Sequence, residues 1–176
     1  MTEDLLKAAA FVSYLAALVV LALAALLGIA KGPKAAGGIS FQGAMGTFLQ
    51  VAAAGVITRS MGSGALHPAA WELIGMLVLA PASAWLFVWA QVPAARSTGG
   101  LVTDGAYAWV RHPMYLAFLG MLLATGLAVS ARGSLLAAVA IYLFGTELRI
   151  AVEEAGLENY ADYQQRTRWR YLPSLR

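Results

Sequence analysis

Two short polar stretches in an otherwise apolar chain hold most of the residues equipped for chemistry. The first reads Gly105-Ala-Tyr107-Ala-Trp-Val-Arg111-His112-Pro113-Met114-Tyr115. An arginine and a histidine beside hydrocarbon are costly unless partners or a ligand compensate them. Pro113 fixes φ and lacks an N–H, so it suits the first turn of a helix. His112 then stands at the helix mouth, where free backbone N–H groups favour an anionic ligand. The second stretch is Glu147-Leu-Arg149-Ile-Ala-Val-Glu153-Glu154. Arg149 and Glu153, four apart, share a helix face and can pair. Glu147 and Glu154, two turns apart, fall close to one stripe. A helix leaving the membrane with one ion pair and solvated acids accounts for this spacing as well as a polar cavity does.

The elements that must position these residues follow from composition. Of 176 residues, 60% are hydrophobic and 12% are charged, about half the charged share of an ordinary soluble domain. The length is that of one domain, read as a single membrane domain over 1–176 with N-terminal spans in 1–92 and the chemistry in 93–176. There is no cysteine, which excludes a disulfide framework and a thiolate metal site, and His67 and His112 are the only histidines; no metal is expected. Five apolar runs are expected to be helical: about Ala8 to Ala30, Ile39 to Thr58, Ala69 to Val92, Pro113 to Ser130 and Ser134 to Val152. The first is long enough to span a bilayer and longer than a signal peptide's apolar region. The second is rich in glycine and alanine, and a re-entrant or interfacial helix is its alternative. The third carries Glu72 near one end and Pro81 in its middle, where a kink is expected. Only Ala131-Arg132-Gly133 separates the last two, which therefore form an antiparallel hairpin.

Charge orients such a bundle. With five spans, Lys31, Lys34, Arg96, Arg111, Arg149, Arg166, Arg168, Arg170 and Arg176 fall on one side, and Lys7, Arg59 and Arg132 on the other. The positive-inside rule puts the 93–112 loop and the C-terminal tail in the cytoplasm and the N-terminus outside. Four spans would put the N-terminus inside. The chain shows no internal repeat of the transporter kind. In the five-span topology both polar stretches open on the same side and flank the last hairpin.

A family resemblance appears on these residues. The stretch Leu101-Val-Thr-Asp-Gly105-Ala-Tyr107-Ala-Trp-Val-Arg111-His112-Pro113-Met-Tyr115 resembles the signature of membrane-embedded isoprenylcysteine carboxyl methyltransferases, and phosphatidylethanolamine N-methyltransferases look similar there. Arg149-Ile-Ala-Val-Glu153-Glu154 is similar to the group's second motif, an arginine followed by paired glutamates. Tyr160, Tyr163 and Leu172-Pro173 match its usual tail, so the resemblance covers roughly residues 99–173. Two departures stand out. Leu157-Glu-Asn-Tyr160 lacks the Phe-Gly usual before the tyrosines, and Thr167-Arg-Trp-Arg170 stands where relatives commonly have valine-proline.

The resemblance implies an all-α, polytopic integral membrane bundle of about five transmembrane helices with a cytoplasmic helical tail. It implies a methyltransferase using S-adenosylmethionine and no Rossmann sheet, whose glycine-rich pattern is absent here. Carried over residue by residue, the cofactor pocket comprises Gly100, Leu101, Val102, Tyr107, Arg111, His112, Pro113, Met114 and Tyr115, closed by Glu153 and Glu154. Arg149 lies on the acceptor side, and Arg149 and Glu153 are the expected catalytic pair. His112 and the helix mouth suit the cofactor's carboxylate, a glutamate its ribose hydroxyls or ammonium, and Tyr107 or Tyr115 its adenine. Methyl transfer from a sulfonium needs no metal, and much of its acceleration can come from positioning. The expected acceptor is a lipid or amphipathic small molecule entering from the bilayer.

Other conspicuous residues have plainer readings. His67 before Pro68 caps or punctuates the third span. Trp85, Phe87 and Trp89 face lipid or pack, and Trp109 anchors at the interface. Arg166, Arg168 and Arg170 with Trp169 and Tyr171 suit anionic headgroups better than nucleic acid, so membrane lipids are expected as partners and nucleic acid is not. Glu72 is expected to be exposed at the interface. A sterol-reductase-like, NADPH-dependent enzyme and a non-catalytic membrane scaffold are the alternatives; the former wants extra basic residues for a 2′-phosphate.

Overall fold

The structure, a computed structural model, describes residues 3–31, 41–61, 68–97, 101–128 and 132–171. The helices are α1 (Glu3–Lys31), α2 (Phe41–Met61), α3 (Ala70–Arg96), α4 (Pro113–Ala128), α5 (Arg132–Ala155) and α6 (Tyr160–Arg166), with a 3₁₀ turn at Gly105–Ala108 before α4. No strand occurs among the described residues. Each of the five expected runs is a helix. By length and composition, Asp4–Leu23, Ala70–Ala94 and Gly133–Ala155 are each sufficient to cross a membrane, whereas Phe41–Ile57 and Pro113–Ala128 are shorter apolar helices. The architecture is a helical membrane bundle.

Small residues set how the helices meet. α1 packs along α3, α3 along α4, and α2 along α5. One core joins Ala10, Tyr14, Ala17 and Leu21 of α1 to Leu73, Met76, Ala80, Ala84 and Phe87 of α3 and to Ala117, Met121, Ala124 and Ala128 of α4. The Phe87 and Phe118 rings meet at 5.0 Å, and Tyr14 shares a 2.8 Å hydrogen bond with Thr125. A second core sets Ala53 and Ile57 of α2 against Ala138 and Tyr142 of α5 and Leu122 of α4. Between the two lies a cavity of about 710 Å³, with Leu18, Val51, Phe118, Met121 and Tyr142 in its largely apolar wall.

Several smaller expectations resolve here. α3 runs on as one helix through Pro81 and Pro93. Glu72, expected to be exposed, is 3% exposed. Its carboxylate accepts the Ala69 N–H at 2.7 Å, satisfying a donor that the helix start leaves unpaired. Phe87 is buried, and Trp85 and Trp109 are exposed. His67, Ala131 and Leu172-Pro173 lie outside the described residues.

Candidate active site

The site forms where the start of α4 meets the end of α5. Gly105 takes φ +60°, a left-handed conformation that glycine adopts without a Cβ penalty, and opens the 3₁₀ turn leading to Arg111 and His112. Pro113 then begins α4 at the position where a missing N–H costs nothing. α5 extends past the expected Val152 to Ala155, so both glutamates stay on regular helix and face the α4 mouth.

Six residues form one network. Glu153 Oε1 accepts from the Tyr115 hydroxyl at 2.5 Å and from Arg149 Nη2 at 2.9 Å, the pairing expected from their spacing. Arg149 Nε also donates to the Tyr115 hydroxyl, at 3.4 Å. Glu154 Oε1 lies 3.0 Å from His112 Nε2 and accepts from the Tyr160 hydroxyl at 2.6 Å. A carboxylate only accepts, so His112 Nε2 carries the hydrogen and Nδ1 presents a lone pair. Nδ1 in turn lies 4.0 Å from Glu153 Oε2. His112 is 8% exposed, and burial pulls its pKa below the usual histidine range against the opposing pull of Glu154 and Glu153. In that neutral tautomer two acceptors, His112 Nδ1 and Glu153 Oε2, face each other.

Arg111 has the opposite problem. It is 6% exposed, and its Nε and Nη1 are buried without a hydrogen-bond partner among the described residues. Its guanidinium carbon stands 6.0 Å from the centre of the Tyr160 ring, a cation–π distance. Orphaned buried donors of this kind call for an explanation, and an unseen anionic partner is a common one.

A strap from the C-terminal side covers the mouth. Arg111 N–H donates to the Trp169 carbonyl at 2.9 Å and His112 N–H to the Arg170 carbonyl at 3.3 Å. The helix-mouth N–H at His112, expected to be free for an anion, is therefore occupied by the chain itself. Arg170 Nη1 bonds Glu147 at 2.7 Å, its Nε lies 3.5 Å from Glu154, and the Tyr171 hydroxyl donates to Glu147 at 2.7 Å. Arg170 thus hydrogen-bonds the exposed Glu147 and pairs more loosely with Glu154, where the sequence suggested a headgroup contact. Tyr163 on α6 donates to the Tyr107 carbonyl at 2.7 Å. Burial pushes the Tyr163 hydroxyl up to about 12, so it stays protonated as that donor.

The remaining expected residues sort as follows. Tyr107 lies near enough to Glu153 for that charge, after burial, to raise its hydroxyl further. Pro113 is fully buried. Met114 packs on the α1–α3–α4 core, with its sulfur 3.5 Å from Gln91 Nε2, apart from the glutamates. Leu101 lines a mixed polar and apolar cavity of about 510 Å³ with Thr103, Asn159, Asp162, Tyr163 and Arg166. Val102 is half-buried beside it. Gly100 lies outside the described residues.

Sequence reasoning missed Thr47 of α2, whose Oγ1 accepts from Arg149 Nη1 at 3.1 Å, and the roles of Glu147 and Arg170 as strap anchors. The Glu147–Glu154 stripe was the available signal for the strap; Thr47 offered none.

No curated protein and no solved structure matches the chain. Residues 73–159 match the model of the isoprenylcysteine carboxyl methyltransferase (ICMT) family. That segment runs from α3 through the arginine–histidine–proline mouth to both glutamates, and over it the chain matches this family of membrane methyltransferases.

Proposed function

We propose that the protein transfers a methyl group from S-adenosylmethionine to an acceptor with a lipophilic tail, at the cytoplasmic edge of the membrane. The observation that carries this reading is the juxtaposition of the Tyr115–Arg149–Glu153 network with the apolar cavity. Tyr142 lines that cavity and donates to the Tyr115 carbonyl at 2.9 Å. Gln50 also lines it and bonds Thr146 at 2.9 Å, one helical turn from Arg149. A polar head at Arg149 and an apolar tail among α1, α2, α4 and α5 would therefore be continuous.

The residues present fit the cofactor. Its methionine end is a zwitterion. The unpartnered nitrogens of Arg111 suit the carboxylate, and the facing acceptors His112 Nδ1 and Glu153 Oε2 suit the ammonium. In this assignment the carboxylate falls to Arg111, because His112 is neutral and flanked by acids. When bound, the group supplies an electrophilic methyl on a positively charged sulfur.

The chain's own residues then bind and orient. Arg149, held by Tyr115 and Glu153, is a fixed cation for an anionic acceptor and keeps it ionised. The strap's backbone bonds to Arg111 and His112 hold the helix mouth in place for the cofactor. No proton relay is needed at an already ionised acceptor, so alignment carries the acceleration. Against a reductase stands the engagement of Arg170 with Glu147 and Glu154, which removes a candidate partner for a 2′-phosphate.

Titration of the purified protein in detergent with S-adenosylhomocysteine and with NADPH tests the reading. Saturable binding of S-adenosylhomocysteine is expected, weakened at least tenfold in His112→Ala and Glu153→Ala, since each change leaves a charged or buried partner unmatched. Binding of NADPH alone would overturn it in favour of the reductase, and binding of neither ligand in favour of a scaffold.

A further inference from the structure

The family match begins at residue 73, yet α2, before it, reaches the acceptor side of the site. Gly46 and Gly145 make this possible. A Cβ at Gly46 would lie 2.6 Å from the Gly145 carbonyl oxygen and 2.8 Å from Arg149 Cγ, and one at Gly145 would lie 2.7 Å from the Gly46 carbonyl oxygen. The two helices therefore cross backbone to backbone, with no room for any side chain at the crossing. The next residue, Thr47, is thereby brought within 3.1 Å of Arg149 Nη1. Its own hydroxyl hydrogen is committed to the Gly43 carbonyl at 3.1 Å, a bond helical threonines commonly make. That leaves the oxygen as an acceptor for the guanidinium.

Arg149 is consequently held from three helices: by Thr47 of α2 at Nη1, by Tyr115 of α4 at Nε, and by Glu153 of its own helix at Nη2. Removing Thr47 would release one arm of the fork while leaving the other two contacts in place. A planar guanidinium recognises a carboxylate by the direction of its N–H bonds, so the freedom of that arm matters.

We propose that α2 forms part of the acceptor site and that Thr47 is a positioning residue, fixing the Arg149 guanidinium toward the acceptor's headgroup. The acceptor role of Arg149 rests on the proposed methyl transfer; the clamp itself does not. The test compares the full-length wild type, Thr47→Val and Thr47→Ser in detergent. Phenylglyoxal, which modifies guanidinium groups, is followed at Arg149 by peptide mass analysis, with Arg59 as the internal reference. S-adenosylhomocysteine affinity is measured on the same samples, and dodecanoate, a carboxylate on an apolar tail, is added as a protecting probe.

Thr47→Val is expected to label several-fold faster at Arg149 and to need about tenfold more dodecanoate for protection, the scale of one lost charge-assisted hydrogen bond. Thr47→Ser should restore both values, and S-adenosylhomocysteine affinity should stay within twofold throughout. Gly46→Ala, which pushes α2 away without touching the hydroxyl, should reproduce the Thr47→Val pattern. Equal labelling in Thr47→Val and wild type would overturn the positioning role, and failure of dodecanoate to protect wild-type Arg149 would overturn the acceptor assignment. Loss of S-adenosylhomocysteine binding in every sample would instead sink the methyl-transfer reading, with the labelling rates still reporting on the clamp.

Discussion

His112 is buried with Glu154 at 3.0 Å and Glu153 at 4.0 Å, and both carboxylates favour its charged form. Desolvation acts against them and is the larger effect, with Arg170 adding to it, so the pKa of His112 falls below its ordinary value. The sign of the pH dependence follows. The unfolded chain takes up a proton at His112 near pH ~6.5, while the folded chain does so only at lower pH. The stability contributed by the neutral ring is therefore whole above about pH 6.5 and is lost as pH falls through the folded value. Thermal unfolding in detergent from about pH 7.5 to 5 should show the wild type losing stability more steeply than His112→Asn, which donates to Glu154 but does not titrate. A wild type that gains on the variant as pH falls would mean that the ion pairs outweigh burial.

Among the elements, the helices were legible and the strap was not. Long apolar runs ended by glycine, proline or charge announced α1 to α5, and the four-residue spacing announced the Arg149–Glu153 pair. The segment Thr167-Arg-Trp-Arg170 has the composition of a membrane-surface patch. Its role emerges only from the carbonyls of Trp169 and Arg170, which take the N–H groups of Arg111 and His112. Backbone carbonyls carry no side-chain identity, so the only trace in the residue pattern was the Glu147–Glu154 stripe on which Arg170 anchors. Thr47 was hidden for a related reason, since its neighbour across the bundle is 102 residues away. The strap makes a measurable claim. Arg170→Ala removes the contacts to Glu147 and Glu154 that hold it down. Hydrogen exchange at the Arg111 and His112 amides should then accelerate by at least tenfold, while amides in the middle of α4 keep their protection. Unchanged exchange at those two amides would show that the backbone bonds hold the strap without the side chain.

For the whole molecule, the unequal helix lengths and the charge distribution point the same way. α4 has 16 residues, about 24 Å at 1.5 Å per residue, which falls short of a hydrocarbon core of about 30 Å. In the proposed reading its polar mouth sits at the edge of the apolar slab rather than far out in water, where a cofactor from solution and a tail from the bilayer would both reach it. Nine of the twelve basic residues belong to that end in the five-span arrangement, and such an excess favours the cytoplasmic side. The absence of native cysteine makes the orientation directly testable, because any introduced thiol is the only one. Arg168→Cys and Arg59→Cys each replace an exposed residue, the first beside the strap and the second near the far end of α2. In right-side-out vesicles a membrane-impermeant maleimide should label Arg59→Cys at once and Arg168→Cys only after the membrane is opened. Inverted vesicles should reverse the order. Immediate labelling of Arg168→Cys from outside would place the site on the opposite face, and a source of S-adenosylmethionine on that side would then be required.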